Sequence, residues 1–107
     1  MSFDCTIERS GDTIIVVPEG DIDMETTATM REVLRQVVDS LDGGRIDVDM
    51  RAVTFLDSTG LGMIVAAQRA AAAKRIDLKL REPGPMIKMV LEIAALDGVL
   101  VRKPTDE

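Results

Sequence analysis

An aspartate, a serine and a threonine stand together where two apolar segments meet, in the sequence FLDSTGLG at residues 55–62. A helix start needs only one such residue, because one side-chain oxygen can accept a hydrogen bond from a free N–H group of the first turn. Asp57 or Ser58 can fill that capping role. Capping does not explain the second hydroxyl or the glycines at 60 and 62. Glycine lets another molecule approach the backbone closely. We call residues 57–62 the seam and predict that it is a functional site.

A second acidic segment, Gly20-Asp21-Ile22-Asp23, follows an earlier apolar run. If the two runs are neighbouring parallel strands, their carboxyl ends bring Asp21 or Asp23 close to Asp57 and Ser58. In open α/β sheets, ligands and partners usually bind at such strand-to-helix junctions. Three interpretations stay open at this point: solvated loops, a magnesium site, or an acidic rim that fits a basic partner.

Ser58 is a candidate for modification rather than for catalysis. The sequence contains no histidine, so the usual base that activates a serine nucleophile is missing. A phosphate would add about −1.5 to −2 charges, and the start of a helix tolerates an anion because its free N–H groups point towards it. A binding partner that fits the hydroxyl would not tolerate the dianion. The segment therefore predicts a switch that acts on binding.

The amino-acid composition argues against two classes of function, nucleic-acid binding and membrane association. The 107 residues fit one domain, 1–107, and 46% of them are apolar, although only 2% are aromatic. A net charge of −6 and the scarcity of aromatic side chains argue against nucleic-acid binding. We find neither a long apolar segment nor a signal peptide. We therefore expect a cytoplasmic protein with no membrane partner.

Hydrophobic periodicity predicts an alternation of strands and helices. We predict that Pro18-Glu19-Gly20 ends the second strand and that the strand around 46–50 leads directly into the seam. Beyond the last strand we predict a polar tail over residues 102–107. The predicted order is β-β-α-β-α-β-α-β, with strands at 3–8, 13–17, 46–50, 77–81 and 99–101 and helices at 26–41, 61–75 and 86–94. This order is typical of an α/β fold with mostly parallel strands.

The two acidic segments resemble the STAS-domain anti-sigma factor antagonists, and the resemblance covers nearly the whole chain. It implies a mixed, mostly parallel sheet of four to five strands with helices packed mainly on one side. It also implies that Ser58 is the phosphorylated residue, with Thr59 as the alternative acceptor. The partner-binding residues implied by this resemblance and by the motifs are Asp21, Asp23, Asp57, Ser58, Thr59, Gly60, Leu61 and Gly62.

The resemblance further implies how such a switch works. The unphosphorylated domain binds an anti-sigma factor that is also a serine kinase, and this binding frees the sigma factor. ATP and magnesium belong to the kinase, and a phosphatase restores the serine. We therefore expect a chain that is not an enzyme and has no cofactor or metal, as a monomer or weak dimer. Related sequences often carry Thr-Gly-Leu where this chain has Ala94-Ala95-Leu96, so we expect its last long helix to continue towards Asp97-Gly98.

Two other functions stay open. Asp21 and Asp23 are also spaced like the paired aspartates of magnesium-dependent phosphatases and of receiver domains, for which Lys103 would be the late lysine. Alternatively, the chain is a STAS interaction or scaffold module that does not switch at Ser58.

Overall fold

The computed structural model describes residues 3–103. The strands are β1 (Asp4–Ser10), β2 (Thr13–Ile22), β3 (Gly44–Asp49), β4 (Val53–Leu56) and β5 (Ile76–Arg81). The helices are α1 (Thr27–Asp39), α2 (Ser58–Ala73), α3 (Pro85–Ile93) and α4 (Asp97–Leu100). The predicted fold class, an α/β fold built on a mixed and mostly parallel sheet, is confirmed.

The sheet combines one antiparallel hairpin with three parallel pairings. The β1–β2 hairpin is in register from Asp4 opposite Glu19 to Ser10 opposite Thr13. Its turn requires the left-handed conformation of Gly11, whose φ is 62°. Strand β2 then pairs with β3 through its first half and with β4 through its last residues, and β3 pairs with β5.

One face of the sheet carries the core. Registered partners on β2, β3 and β5 form two buried apolar rows, Ile14–Ile46–Leu78 and Val16–Val48–Leu80. Alternation along a strand sends these side chains to one face, and α1 packs on β2 while α2 packs on β5 and on α1. Helix α1 brings an apolar stripe to this core, formed by Met30, Leu34, Val37 and Val38. The prediction that helices pack mainly on one side is confirmed.

Two predicted boundaries near the acidic segments are wrong. Strand β2 does not end at Pro18-Glu19-Gly20 but continues to Ile22. Its last residues, Gly20 to Ile22, pair with β4; the register of this pairing shifts between Gly20 and Asp21, and Gly20 takes a φ of 108°. Strand β3 also does not run directly into the seam, because a turn at residues 51–52 separates it from β4. This turn gives the sheet a short strand that the apolar pattern did not separate.

The carboxyl-terminal predictions also need correction. Helix α3 ends at Ile93 instead of continuing, because Ala95 adopts a left-handed conformation with a φ of 59° and the Leu96 N–H group bonds back to the Leu91 carbonyl. This is the helix-ending geometry that usually uses glycine. The predicted last strand is reduced to a single bridge between Val101 and Leu80, since residues 99–100 belong to α4.

The face of the sheet away from this core carries a charged cluster, formed by Arg45, Asp47, Asp77, Arg81 and Arg102. Asp47 is only 1% exposed, and its carboxylate accepts hydrogen bonds from Arg102 (Nε–Oδ1, 2.6 Å) and Arg45 (Nη2–Oδ2, 2.8 Å). Arg102 also binds Asp77 at 2.7 Å. The predicted polar tail is therefore wrong at Arg102, which is buried, and its residues 104–107 lie outside the described part of the chain.

Candidate functional site

The pairing of β2 with β4 brings the two acidic segments side by side. Asp21 lies opposite Phe55 and Ile22 lies opposite Leu56. One step further, the Asp57 N–H group donates to the Ile22 carbonyl at 3.2 Å. The two segments are thus neighbours at the carboxyl ends of parallel strands, as the sequence led us to expect.

Asp57 organises the first turn of α2. Its Oδ1 atom accepts hydrogen bonds from the Gly60 N–H group at 2.9 Å and from the Thr59 hydroxyl at 2.6 Å. These bonds hold the pKa of the Asp57 carboxyl below its usual range, the Thr59 hydroxyl contributing most and the Gly60 amide next. Asp57 is therefore the N-cap of the helix, and it is anionic at neutral pH.

The two hydroxyls of the seam differ in what they bind. Thr59 is exposed, but its hydroxyl is engaged as the donor to Asp57. Ser58 is the first residue of α2, is exposed, and has no side-chain hydrogen bond to any described residue. Of the two, Ser58 is the hydroxyl that an incoming enzyme meets free.

The two glycines of the seam have different explanations. Gly60 is buried, and a Cβ atom added there would lie 2.7 Å from Cγ2 of Ile22 and 2.9 Å from Cδ1 of Leu56. The absence of a side chain at Gly60 is therefore a packing requirement. Gly62 is exposed, and a Cβ atom added there would meet nothing within 4 Å. Packing leaves Gly62 unexplained, so close approach by a partner remains the prediction for this position.

Asp21 and Asp23 lie beside the seam and have local partners. The Asp21 carboxylate accepts a hydrogen bond from the Thr54 hydroxyl on β4. The Asp23 carboxylate accepts from the Glu25 and Thr26 N–H groups at 2.9 and 3.1 Å, which shapes the turn before α1. Asp23 therefore has a structural role, and its role in partner binding stays a prediction, as it does for Asp21.

Two apolar side chains that the sequence analysis did not select stand exposed next to the seam. Met24 is 78% exposed in the turn after Asp23, and Phe55 is 43% exposed on β4, two residues before Asp57. Leu61, by contrast, is half-buried against the core. Met24 and Phe55 stand beside acidic residues in the sequence, and this position is the signal that could have placed them at the site. Apolar periodicity alone assigns Phe55 to the core.

The carboxylates of this site are engaged by hydroxyl and backbone groups. Between residues 3 and 103, no group of three or more Asp, Glu or Cys side chains is arranged to hold a metal ion. None of the helices in the same range is long and apolar enough to cross a membrane. The geometry at the seam is that of an exposed anionic surface with a free hydroxyl at its centre.

Several proteins that resemble this chain are named anti-sigma factor antagonists. An anti-sigma-B factor antagonist of Listeria monocytogenes is 29% identical over 93 residues, which are 87% of this chain and 81% of the relative. A solved anti-sigma factor antagonist of Mycobacterium paratuberculosis superposes with a TM-score of 0.80 at 25% identity, over 98% of this chain and 90% of that one.

The structural likeness extends to a protein known in two modification states. The Bacillus anti-sigma factor antagonist SpoIIAA, solved in unphosphorylated and phosphorylated forms, superposes with TM-scores of 0.75 and 0.68. Both comparisons are at 17% identity and cover 96% of this chain. They cover 91% of the unphosphorylated and 95% of the phosphorylated SpoIIAA chain, and they show a shared fold. Residues 5–102 match the family model described as "Mlab, STAS domain". With this match over nearly its whole length, the chain belongs to the STAS-domain family.

Proposed function

We propose that this chain is an anti-sigma factor antagonist that is switched by phosphorylation of Ser58. In this proposal the unphosphorylated form binds an anti-sigma factor that is also a serine kinase, and so frees the sigma factor. The names of the relatives support the class of function. The observation that carries the switch is the state of Ser58, an exposed hydroxyl at the start of α2 with no hydrogen-bond partner among the described residues.

The surroundings of Ser58 support phosphorylation as a switch on binding. A phosphate there joins the anionic Asp57 and lies at the edge that carries Asp21 and Asp23, so it concentrates negative charge on one surface. The fold should accept this group, since it sits at a helix N-terminus. A docked partner would have to desolvate and face the added charge, which weakens binding.

The exposed side chains of Met24 and Phe55 give this surface an apolar component. Interfaces owe most of their affinity to a few such buried anchors, and charges around them set specificity. We propose that both side chains contact the anti-sigma factor, together with Ser58 and Gly62. ATP and magnesium belong to the partner kinase in this proposal, a phosphatase resets Ser58, and the chain itself acts in the cytoplasm without a cofactor or catalysis of its own.

The test incubates the chain with ATP, magnesium and each anti-sigma kinase encoded in the same genome, and locates the phosphate by mass spectrometry. We expect phosphate on Ser58, loss of labelling in Ser58→Ala, and retained labelling in Thr59→Val. Phosphate that is stable in hydroxylamine supports a serine ester. Phosphate that hydroxylamine removes would indicate an acyl phosphate on an aspartate, as in the receiver-like alternative.

Binding measurements complete the test. We expect Ser58→Ala to bind the kinase at least as well as the wild type, and Ser58→Glu to bind about tenfold or more weakly, because a charge is placed in the interface. Both variants should keep the wild-type circular dichroism spectrum. Equal affinity of wild type and Ser58→Glu would favour a scaffold module that does not switch.

A further inference from the structure

A groove runs between helices α1 and α2, and we call it the helix groove. Its volume is about 270 Å³, and none of the seam residues lines it. Its floor is formed by buried apolar side chains of both helices, Leu34, Val38 and Met63. The side of the groove that belongs to α2 carries only methyl groups, those of Ala66, Ala67 and Ala70. These small side chains leave open the space that larger ones would fill.

The side of the groove that belongs to α1 is charged. Arg31, Arg35 and Asp39 line it, and all three are exposed. The Arg35 guanidinium is already bound, because it donates to Glu32 from Nε at 3.0 Å and to Asp39 from Nη1 at 2.9 Å. Arg31 forms no hydrogen bond or ion pair with any residue between 3 and 103. Of the three charges, that of Arg31 is therefore the one available to a ligand.

The charges of the groove are separated along α1. Residues three and four apart share one side of a helix, so Arg31 lies on the same side as the floor residues Leu34 and Val38. Arg31 and Asp39 are eight positions apart, which is about 12 Å along the helix axis. A molecule that lies along the groove therefore meets an available cation at one end and apolar groups along the middle. The acidic group at the other end, Asp39, is bound to Arg35.

We propose that the helix groove binds a small amphiphilic carboxylate, a molecule with one anionic head and a saturated chain of about eight carbon atoms. Charge complementarity selects the head, because a guanidinium binds a carboxylate through two parallel N–H groups. The methyl groups and the apolar floor select the chain, since small-molecule pockets are mostly apolar and use a few polar groups to fix orientation. The volume fits this size, because it holds about nine groups as large as a water molecule.

The experiment titrates octanoate into the isotopically labelled chain and follows the backbone amide shifts by NMR. We expect shifts at the residues that line the groove on both helices, with a dissociation constant in the millimolar range, because the ligand is small and the site is open. Acetate carries the head alone and should leave these amides unshifted.

Octylammonium carries the same apolar chain with the opposite charge, and it should bind about threefold or more weakly than octanoate. The net charge of the whole chain is −6, which by itself attracts the cation. A preference for octanoate therefore reports on Arg31.

Two variants test the head and the chain separately. Arg31→Gln removes the cation and should weaken octanoate binding about threefold or more. Its control is Arg69→Gln, because Arg69 is exposed on α2 and does not line the groove. Ala66→Leu fills the groove and should weaken binding about tenfold or more. Its control is Ala72→Leu, at an exposed position of the same helix outside the groove.

All four substitutions are at exposed helix positions, so the fold should persist, and both controls should bind octanoate like the wild type. Octanoate that shifts no amide of the groove overturns the proposal. Octylammonium that binds as tightly as octanoate overturns it as well, and so does binding that either Arg31→Gln or Ala66→Leu leaves unchanged.

Discussion

Aspartates gather in two regions of this chain, and their partners differ. At the seam edge, Asp21, Asp23 and Asp57 accept hydrogen bonds from hydroxyl and backbone N–H groups, which carry no charge. On the sheet face away from the core, Asp47 and Asp49 accept from arginines. Guanidinium partners neutralise a carboxylate, whereas neutral donors leave its negative charge in place.

This difference separates a surface suited to regulation from one suited to stability. The seam edge keeps its negative charge, so one more anion there changes what can bind without breaking an internal ion pair. Asp47 is tied to a distant part of the chain, since Arg102 binds it across 55 positions of sequence, whereas Asp49 is neutralised by Arg51 two residues away. The partner of a carboxylate, rather than its presence, indicates which role it has.

The largest expected effect is on the arginine-paired region. Arg102→Ala removes the shortest contact of the buried Asp47 and the partner of Asp77. Asp47 keeps its hydrogen bonds to Arg45, but it loses its buried arginine partner, and breaking a buried pair costs about 3–5 kcal/mol. We therefore expect a loss at the lower end of that range, about 3 kcal/mol, in the free energy of unfolding. Urea denaturation measures this loss. The matched control is Arg35→Ala, whose ion pairs lie on the exposed surface of α1 and which should change stability little. Equal losses in the two variants would remove the distinction between buried and exposed pairs.

The second effect tests where the seam gets its stability. Gly60→Ala forces a methyl group against Ile22 and Leu56 beneath the first turn of α2. Overpacking of this kind costs about 1–3 kcal/mol, and we expect a loss of about 2 kcal/mol in urea denaturation. We also expect the spectrum of the folded state to persist. If Gly60→Ala left the free energy of unfolding unchanged, the side chains of Ile22 and Leu56 would be able to move aside, and Gly60 would be present for another reason.

How far the sequence predicts these regions depends on the range of the interactions. Alternation over a few residues predicts the β1–β2 hairpin, and the adjacent Asp57 and Ser58 predict the start of α2, because these signals are local. The same alternation marks Asp47 as a residue on the polar face of a strand, but it cannot show that Arg102 covers it. The packing of Gly60 against Ile22 also depends on the pairing of β2 with β4. This pairing, with its register shift between Gly20 and Asp21, has no local apolar signal.

A third effect concerns the other glycine of the seam. Gly62→Ala meets no atom within 4 Å and lies inside a helix, where glycine costs about 1 kcal/mol relative to alanine. We expect this variant to gain roughly 0.5–1 kcal/mol in the free energy of unfolding while it loses affinity for the anti-sigma factor. Urea denaturation and calorimetry with the same preparation measure the two quantities. Unchanged affinity together with the gain in stability would leave no reason for glycine at this position.

The smallest effect compares the two regions by titration. The pKa values of Asp49 and Asp57 both lie below the usual 3.8, Asp49 chiefly because it accepts a hydrogen bond from Arg51 and Asp57 because it accepts one from Thr59. A folded-state pKa below the unfolded one means that each group stabilises the fold above pH 3.8, and that this contribution is lost as the pH falls through the folded pKa.

Salt should separate the two causes. In about 1 M salt the Debye length is about 3 Å, and the attraction between Asp49 and its exposed arginine partner weakens. Neutral donors are not screened in this way, so we expect carbon-detected NMR titration to show a larger salt-induced rise in pKa for Asp49 than for Asp57. Salt also screens the net charge of the chain, which affects the pKa of both carboxyl groups. The difference between the two pKa changes therefore reports on the local partners. If Asp57 rose as much as Asp49, its charge would also depend on a cation, and the two regions would not differ in the way that their contacts indicate.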